Sequence, residues 1–217
     1  MTNPDLTHIY FLLDRSGSMQ SIKADTEGGF DAFIAEQRTT GGTCRVTLAQ
    51  FDTDYDIVYA ARPIADVPRL DLQPRGMTAL LDSMGRLITD TGRELAGLPE
   101  AERPDTVLVG IMTDGEENSS QEWSHAAIKA LVEQQTRDYG WQFLYLGADQ
   151  DAIEVGASVG IAPGQSLTYG RGQVAPAMAA MSANVSAYRK ARSAGHSADD
   201  AAAALVFTEK QRKSSAR

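Results

Sequence analysis

The sequence predicts an α/β fold: a doubly wound, mostly parallel central sheet with helices on both faces and one antiparallel edge strand. Short apolar segments alternate with longer amphipathic ones through most of the chain, which is typical of a parallel sheet covered by helices. The segment Thr106–Met112 is almost wholly apolar, which indicates a central strand buried on both faces. A tight acidic turn around Asp52–Tyr55 joins two other strands as a hairpin and supplies the antiparallel edge.

The predicted strands are short, apolar and rich in β-branched and aromatic residues. They cover Thr7–Leu13, Arg45–Phe51, Asp56–Ala61, Thr106–Met112, Gln142–Leu146 and Ser166–Tyr169. The predicted helices carry apolar residues at helical spacing. The first places Ile22, Phe30, Phe33 and Ile34 on one face, and the others cover residues 78–95, 121–139, 152–159 and 174–192.

The length of 217 residues fits one domain with a full hydrophobic core. We predict that this domain spans residues 1–195 and that residues 196–217 form a tail that is helical or disordered. Thr208 and Gln211 have the spacing of a capping box, which favours a short terminal helix.

The composition predicts a soluble, cytoplasmic protein. No apolar segment is long enough to span a membrane, and no signal peptide is apparent. Cys44 is the only cysteine, so no disulfide can form within the chain. The net charge of −9 disfavours nucleic-acid binding and is better suited to cations or basic partner surfaces.

Polar residues stand at three points where a predicted strand ends or a helix starts. They are Asp14, Ser16 and Ser18 after the first strand, Thr78 before a helix, and Asp114 after the most apolar strand. Open α/β sheets bind ligands at the carboxyl ends of their strands, where the strand order reverses. The set offers only oxygen atoms, which indicates a hard cation, with Mg²⁺ as first choice and Mn²⁺ or Ca²⁺ as alternatives. The absence of histidine and thiolate argues against zinc and copper.

With this pattern the sequence resembles a von Willebrand factor A-type (VWA) domain over residues 6–165, which implies a Rossmann-like fold. The family's metal-ion-dependent adhesion site uses D-x-S-x-S, a distant Thr and a distant Asp, and these map to the five residues above. The resemblance implies that the serines and the threonine bind the ion directly or through water. The two aspartates would act largely through bridging water, and a ligand's Glu or Asp would take the open position. Met77 departs from the family, because glycine often holds that position.

The resemblance implies a non-enzymatic, Mg²⁺-dependent adaptor that binds an acidic side chain of another protein, without nucleic acid or membrane. The compact chain is similar to stand-alone bacterial, intracellular members, which often serve in stress-response or metal-insertion assemblies. We expect the rim of the partner-binding surface to include Arg15, Met77, Glu116, Glu117 and Asn118.

Other interpretations stay open. Ser16, Ser18 and Thr78 are also typical helix caps. The same ion could serve a hydrolase or phosphotransferase, or the domain could have lost metal binding. Ser158 lies in a G-x-S-x-G pattern, although a helix is predicted where a nucleophile elbow needs a strand. The segment Asp52–Asp56 opens like an EF-hand loop but lacks its glycine and glutamate, which favours a solvated hairpin turn.

Overall fold

The computed structural model describes residues 2–216, and this part of the chain forms six strands and seven α-helices. The strands are β1 (Asn3–Asp14), β2 (Thr43–Phe51), β3 (Tyr55–Pro63), β4 (Pro104–Thr113), β5 (Gln142–Ala148) and β6 (Ser166–Tyr169). The helices are α1 (Lys23–Thr39), α2 (Leu80–Gly97), α3 (His125–Tyr139), α4 (Ala152–Ser158), α5 (Val174–Ser193), α6 (Ala198–Ala202) and α7 (Glu209–Ser215).

The strands form one sheet in the order β3-β2-β1-β4-β5-β6. Only β3 is antiparallel to its neighbour, and it lies at the edge, so the predicted fold class is confirmed. The chain builds outward from β1 through β2 to β3, and then continues from the other side of β1 with β4. The strand order therefore reverses between β1 and β4, where an open α/β sheet has its binding crevice.

Both faces of the sheet are buried, as the alternation along β1 shows. Ile9 and Phe11 face one hydrophobic cluster with α1 and α5, while Tyr10 and Leu12 face a second cluster with α2 and α3. Successive strand residues point to opposite faces, so a strand buried on both sides is a continuous apolar run. This arrangement anchors β1 and β4 and so holds the loops at their carboxyl ends.

Two helices begin later than predicted. The structure starts α2 at Leu80 and α3 at His125, although the sequence predicts starts at residues 78 and 121. At α3 the Ser124 hydroxyl accepts a hydrogen bond from the Ala127 N–H and caps the helix. The preceding backbone N–H groups of Gln121 and Glu122 instead donate to the Asp82 carboxylate, which keeps this segment outside the helix.

The segment after residue 195 is helical and packs against the same core as the rest of the chain. Leu205 and Phe207 are buried in the cluster that contains α1 and α5. The capping box predicted at Thr208 and Gln211 forms and starts α7. The Arg212 guanidinium donates to the carbonyl oxygen of Ser166 at 2.8 Å, so α7 covers the start of the edge strand β6.

Among residues 2–216, none of the helices combines the length and the apolar character that crossing a membrane requires.

Candidate metal centre

The five predicted metal ligands lie on three loops at the carboxyl ends of the central strands. Asp14 is the last residue of β1, and Asp114 follows the last residue of β4. These two strands are neighbours at the point where the strand order reverses. The loop with Thr78 joins them through backbone hydrogen bonds, from Gly17 N–H to Gly76 O at 3.2 Å and from Asn118 N–H to Thr78 O at 3.1 Å.

Asp14 is fully buried and accepts hydrogen bonds from neutral donors at both carboxylate oxygens. The Ser16 N–H donates to Oδ1 at 2.6 Å, and the Thr113 hydroxyl donates to Oδ2 at 2.5 Å. Thr113 was not among the predicted site residues, although it directly precedes Asp114. These contacts fix the carboxylate, but both come from neutral groups.

The two serine hydroxyls link the first loop to Asp114. Ser16 Oγ and Ser18 Oγ are 3.1 Å apart, and Ser18 Oγ donates to Asp114 Oδ1 at 2.6 Å. The other carboxylate oxygen, Asp114 Oδ2, is buried and has no hydrogen-bond partner among the described residues. Buried carboxylate oxygens rarely stay unpaired, so this atom marks a place for a ligand.

Thr78 borders the same space as Ser18. A Cβ atom built on Gly115 would lie 3.2 Å from Thr78 Oγ1 and 3.7 Å from Ser18 Oγ. Gly115 therefore leaves open the space between the two hydroxyls, which any side chain there would partly fill. The Thr78 N–H donates to Asn118 Oδ1 at 2.9 Å, which positions the Thr78 loop.

The capping interpretation of these hydroxyls does not match the structure. Ser16 precedes a 3₁₀ turn at Gly17–Ile22, but its side chain makes no capping hydrogen bond. The N-cap position of α2 is Ala79 rather than Thr78. The Glu117 carboxylate accepts the Leu81 N–H at 2.8 Å and so serves the start of α2 instead. The Ser16 and Thr78 hydroxyls thus remain available to the site.

Burial dominates the electrostatics of both aspartates. It raises the pKa of Asp14 to about 6, although hydrogen bonds from Thr113 and Ser16 act in the opposite direction. Burial also raises the pKa of Asp114, against the lowering effects of the Ser18 hydrogen bond and the Arg171 charge. A bound cation would relieve the cost of keeping two negative charges in this buried setting.

The donor set fits a divalent cation. Two carboxylates and three hydroxyls meet at one sheet edge, the buried Asp114 Oδ2 accepts no hydrogen bond from the described residues, and Gly115 leaves room between the hydroxyls. Among residues 2–216, no group of three or more His, Cys, Asp or Glu side chains is arranged to hold a metal. A metal at this edge would therefore be held by a mixed carboxylate–hydroxyl set, which is the chemistry of a hard cation.

An ion-pair cluster beside the metal centre was not predicted, and Asp52 is its centre. Its carboxylate pairs with Arg15 Nε at 2.8 Å and with Arg75 Nε at 2.9 Å. Arg15 also reaches Asp56 at 2.5 Å. Asp52 is only 1% exposed, so the prediction of a solvated turn was wrong at this position. Its carbonyl oxygen also accepts the Ala79 N–H, which connects the cluster to the Thr78 loop.

The five predicted rim residues divide into two groups. Met77, Glu116 and Asn118 are exposed. Arg15 is buried in the ion-pair cluster, and Glu117 is held by the start of α2 and by the Ser119 and Ser120 N–H groups. The exposed three are therefore the ones in a position to contact a partner.

Arg171 and Asp149 also lie at the site and were missed. Both follow parallel strands, β6 and β5, at their carboxyl ends. Arg171 Nη2 is 3.6 Å from Asp114 Oδ2, and Arg171 Nε is 3.1 Å from Asp149 Oδ2. The rule that located Asp14 and Asp114 would have found them if it had been applied to every parallel strand.

Features typical of a hydrolase are absent from the G-x-S-x-G segment. Ser158 ends α4, and its hydroxyl donates to the Val155 carbonyl oxygen of the same helix at 2.7 Å. A Cβ atom on Gly156 would lie 2.2 Å from Ser166 Oγ, so this glycine allows α4 to pack closely against β6. The small residues serve packing rather than a nucleophile elbow.

No family model matches the sequence, and no curated protein matches it either. Solved structures do match. One is proximal thread matrix protein 1 from the mussel byssus, with a TM-score of 0.59 at 16% identity over 80% of this chain. In that structure the motif of the metal-ion-dependent adhesion site (MIDAS) is occupied by zinc. The von Willebrand factor domain of the type V pilus tip protein Mfa5 from Porphyromonas gingivalis has a TM-score of 0.54 at 11% identity over 85% of this chain.

The chain has the von Willebrand factor A fold. An ArnB paralogue of the VWA type from Sulfolobus acidocaldarius agrees, with a TM-score of 0.55 at 14% identity over 85% of this chain. The chain spans only 46% of the mussel protein and 45% of the Sulfolobus protein, but 96% of the pilus domain. In this VWA fold the five predicted ligands occupy the loops at the switch point of the sheet.

Proposed function

We propose that this VWA domain is a Mg²⁺-dependent protein-binding module without catalytic activity. The ion would be held by Asp14, Ser16, Ser18, Thr78 and Asp114, and an acidic side chain of another protein would complete its coordination. The observation that carries the proposal is the buried Asp114 Oδ2, which has no hydrogen-bond partner among the described residues, beside the hydroxyls of Ser18 and Thr78.

The choice of Mg²⁺ follows from the donor types. Mg²⁺ prefers oxygen ligands, keeps several waters and is bound by few carboxylates, as the donor set here allows. The mussel protein's motif holds zinc, so the metal preference of this chain has to be measured. Comparison of Mg²⁺, Mn²⁺, Ca²⁺ and Zn²⁺ by calorimetric titration will establish the preference of this chain.

Two features support recognition over catalysis: the ligand types of the metal centre and the position of the buried His8. Three of the five predicted ligands are neutral hydroxyls, so the ion can still accept a carboxylate from outside. A hydrolase needs a general base with a second group that orients it. His8 does not serve as such a base, because it lies inside the sheet, where it bonds to Thr47 Oγ1 and stacks on Tyr10. Burial lowers the pKa of His8 to about 3, so it stays neutral.

Ser18→Ala is the most informative variant, because Ser18 is exposed and its removal leaves the core intact. We expect it to weaken Mg²⁺ binding about 10-fold or more while the protein still unfolds cooperatively. Ser158→Ala is the matched control, because that hydroxyl serves only its own helix. Isothermal titration calorimetry with MgCl₂ measures the affinity, and urea denaturation measures the stability.

Partner capture tests the functional half of the proposal. The wild type, Ser18→Ala and Ser158→Ala proteins are used as bait in the native lysate, with Mg²⁺ or with EDTA. We expect one set of partners that needs Mg²⁺, is lost with Ser18→Ala and is kept with Ser158→Ala. Identical sets in Mg²⁺ and EDTA would contradict the proposal. Mg²⁺-dependent turnover of phosphate or acyl esters that is lost with Ser18→Ala would replace it with the hydrolase alternative.

A further inference from the structure

Arg171 brings a positive charge to the edge of the metal centre. It lies in the loop between β6 and α5, and its side chain is about half exposed. Its guanidinium is 3.6 Å from Asp114 Oδ2, the carboxylate oxygen that has no hydrogen-bond partner. At this distance the contact is an electrostatic attraction and not a hydrogen bond, so a ligand of Asp114 can replace it.

The Asp149 carboxylate holds both the backbone and the side chain of Arg171 in place beside the site. The Arg171 N–H donates to Asp149 Oδ1 at 3.3 Å, and the guanidinium pairs with Asp149 Oδ2 at 3.1 Å. The preceding residue is also tied down, because the Gly170 N–H donates to the Ser215 carbonyl oxygen at 2.8 Å. The guanidinium is therefore held beside Asp114 by groups that are not among the five predicted metal ligands.

A metal ion and Arg171 would compete for the same carboxylate. Both are attracted to Asp114, and the two positive charges repel each other across a partly buried space. A carboxylate that arrives with a partner attracts both cations and removes this conflict. Arginine is suited to this role, because its planar guanidinium presents several donors to a carboxylate and always carries its charge.

We propose that Arg171 is a counter-ion of Asp114 that determines which partners the metal centre binds. It opposes metal binding in the free protein, so the ion is held firmly only when a carboxylate joins it. Metal and acidic partner then bind cooperatively, and a partner without a carboxylate gains nothing from the ion. This inference rests on the metal site of the proposed function.

Titration with Mg²⁺ alone tests the first half. We expect Arg171→Gln to bind Mg²⁺ about 3- to 5-fold more tightly than wild type, the size of a partly exposed charge interaction. Arg171→Lys keeps the positive charge that repels the ion and should stay within about twofold of wild type. Arg93→Gln is the matched control, because it removes one positive charge from an exposed pair with Asp90 on α2. It should leave Mg²⁺ affinity unchanged.

Acetate is the probe for the second half. The same proteins are titrated with Mg²⁺ in sodium acetate and in sodium chloride of equal ionic strength. We expect acetate to tighten Mg²⁺ binding in the wild type and in Arg171→Lys by a larger factor than in Arg171→Gln. The gain in Mg²⁺ affinity of Arg171→Gln over wild type should shrink at high salt, because the repulsion is screened.

The outcomes separate this inference from the proposed function. If the wild type binds Mg²⁺ but Arg171→Gln behaves like Arg93→Gln, the counter-ion role is overturned and the metal site stands. If acetate acts equally on wild type and Arg171→Gln, the coupling to a carboxylate is overturned. If neither the wild type nor Arg171→Gln binds Mg²⁺, in chloride or in acetate, the proposed function fails, and this inference fails with it.

Discussion

The pKa values of two buried aspartates at neighbouring strand ends are shifted in opposite directions. Asp14 ends β1 and Asp52 follows β2, and they are 0% and 1% exposed. Burial raises the pKa of Asp14 to about 6. Burial acts in the same direction on Asp52, but hydrogen bonds from the Asp54 N–H, Arg75 and Arg15 outweigh it, and the pKa is lowered. The neighbours of Asp52 therefore outweigh the effect of burial on its pKa, whereas the neighbours of Asp14 do not.

The neighbours differ in charge. Asp52 is compensated by two guanidinium groups, so its cluster is complete. Asp14 receives hydrogen bonds from neutral hydroxyl and N–H groups, so no positively charged side chain compensates its charge among the described residues. The clusters touch, because the Arg75 N–H donates to the Arg15 carbonyl oxygen in the metal-centre loop. The Asp52 cluster thus supports the loop that follows Asp14.

The largest expected effect comes from Asp52→Asn. The change leaves the buried Arg15 guanidinium with only the exposed Asp56 as a counter-charge, and we expect a loss of about 3–4 kcal/mol in the free energy of unfolding. Urea denaturation in EDTA measures it. Asp90→Asn, which breaks an exposed pair with Arg93, is the control and should cost little. Equal losses in the two variants would show that the Asp52 cluster has no special structural role.

Asp14→Asn should act with the opposite sign. It removes a buried charge that no cation compensates, so we expect the metal-free protein to gain about 1–3 kcal/mol at pH 8. The same variant should lose the stabilisation that Mg²⁺ gives the wild type. Urea denaturation with EDTA and with MgCl₂ tests both expectations. A clear loss of stability in EDTA would mean that Asp14 is compensated within the chain.

The pH dependence sharpens this contrast. The pKa of Asp14 is about 6 in the folded protein and near 3.8 in the unfolded chain. Folding therefore favours the protonated carboxyl group. Its contribution to the free energy of unfolding is fully present below pH 3.8 and is lost as the pH rises through about 6. Asp14→Asn lacks this titration. The stability gap between variant and wild type in EDTA should therefore be widest at pH 8 and close towards pH 4. A gap that stays constant over this range would contradict the raised pKa.

The smallest effect is expected from Arg75→Gln. Arg75 pairs with Asp52, but its side chain is 58% exposed, and Arg15 remains as a partner for the carboxylate. We expect a small fraction of the loss caused by Asp52→Asn, and a loss that disappears in high salt because exposed pairs are screened. Urea midpoints at low and high NaCl concentration test this. A loss as large as that of Asp52→Asn would show that Arg75, and not the buried Arg15, carries the stabilisation of the cluster.

The sequence was sufficient for the fold class and for the strand ends and the loop before α2 that carry the five predicted ligands. Apolar runs such as Thr106–Met112 predict buried strands because both faces of a parallel sheet are covered. The boundaries of α2 and α3 were less predictable. Their starts depend on Glu117 and Asp82, which accept backbone N–H groups from other segments. Such acceptors leave no local pattern in the sequence.

Local chemistry in the sequence determined which polar residues stand at strand ends, because strand periodicity and turn residues act over a few positions. The tertiary structure alone decided which of them meet. Arg15 follows a metal-centre aspartate in the chain, yet it pairs with Asp52, 37 residues away. Arg171 reaches Asp114 only because β6 and β4 end at the same edge of the sheet. Strand order and side-chain direction set these pairings, and they depend on the packing of the whole sheet.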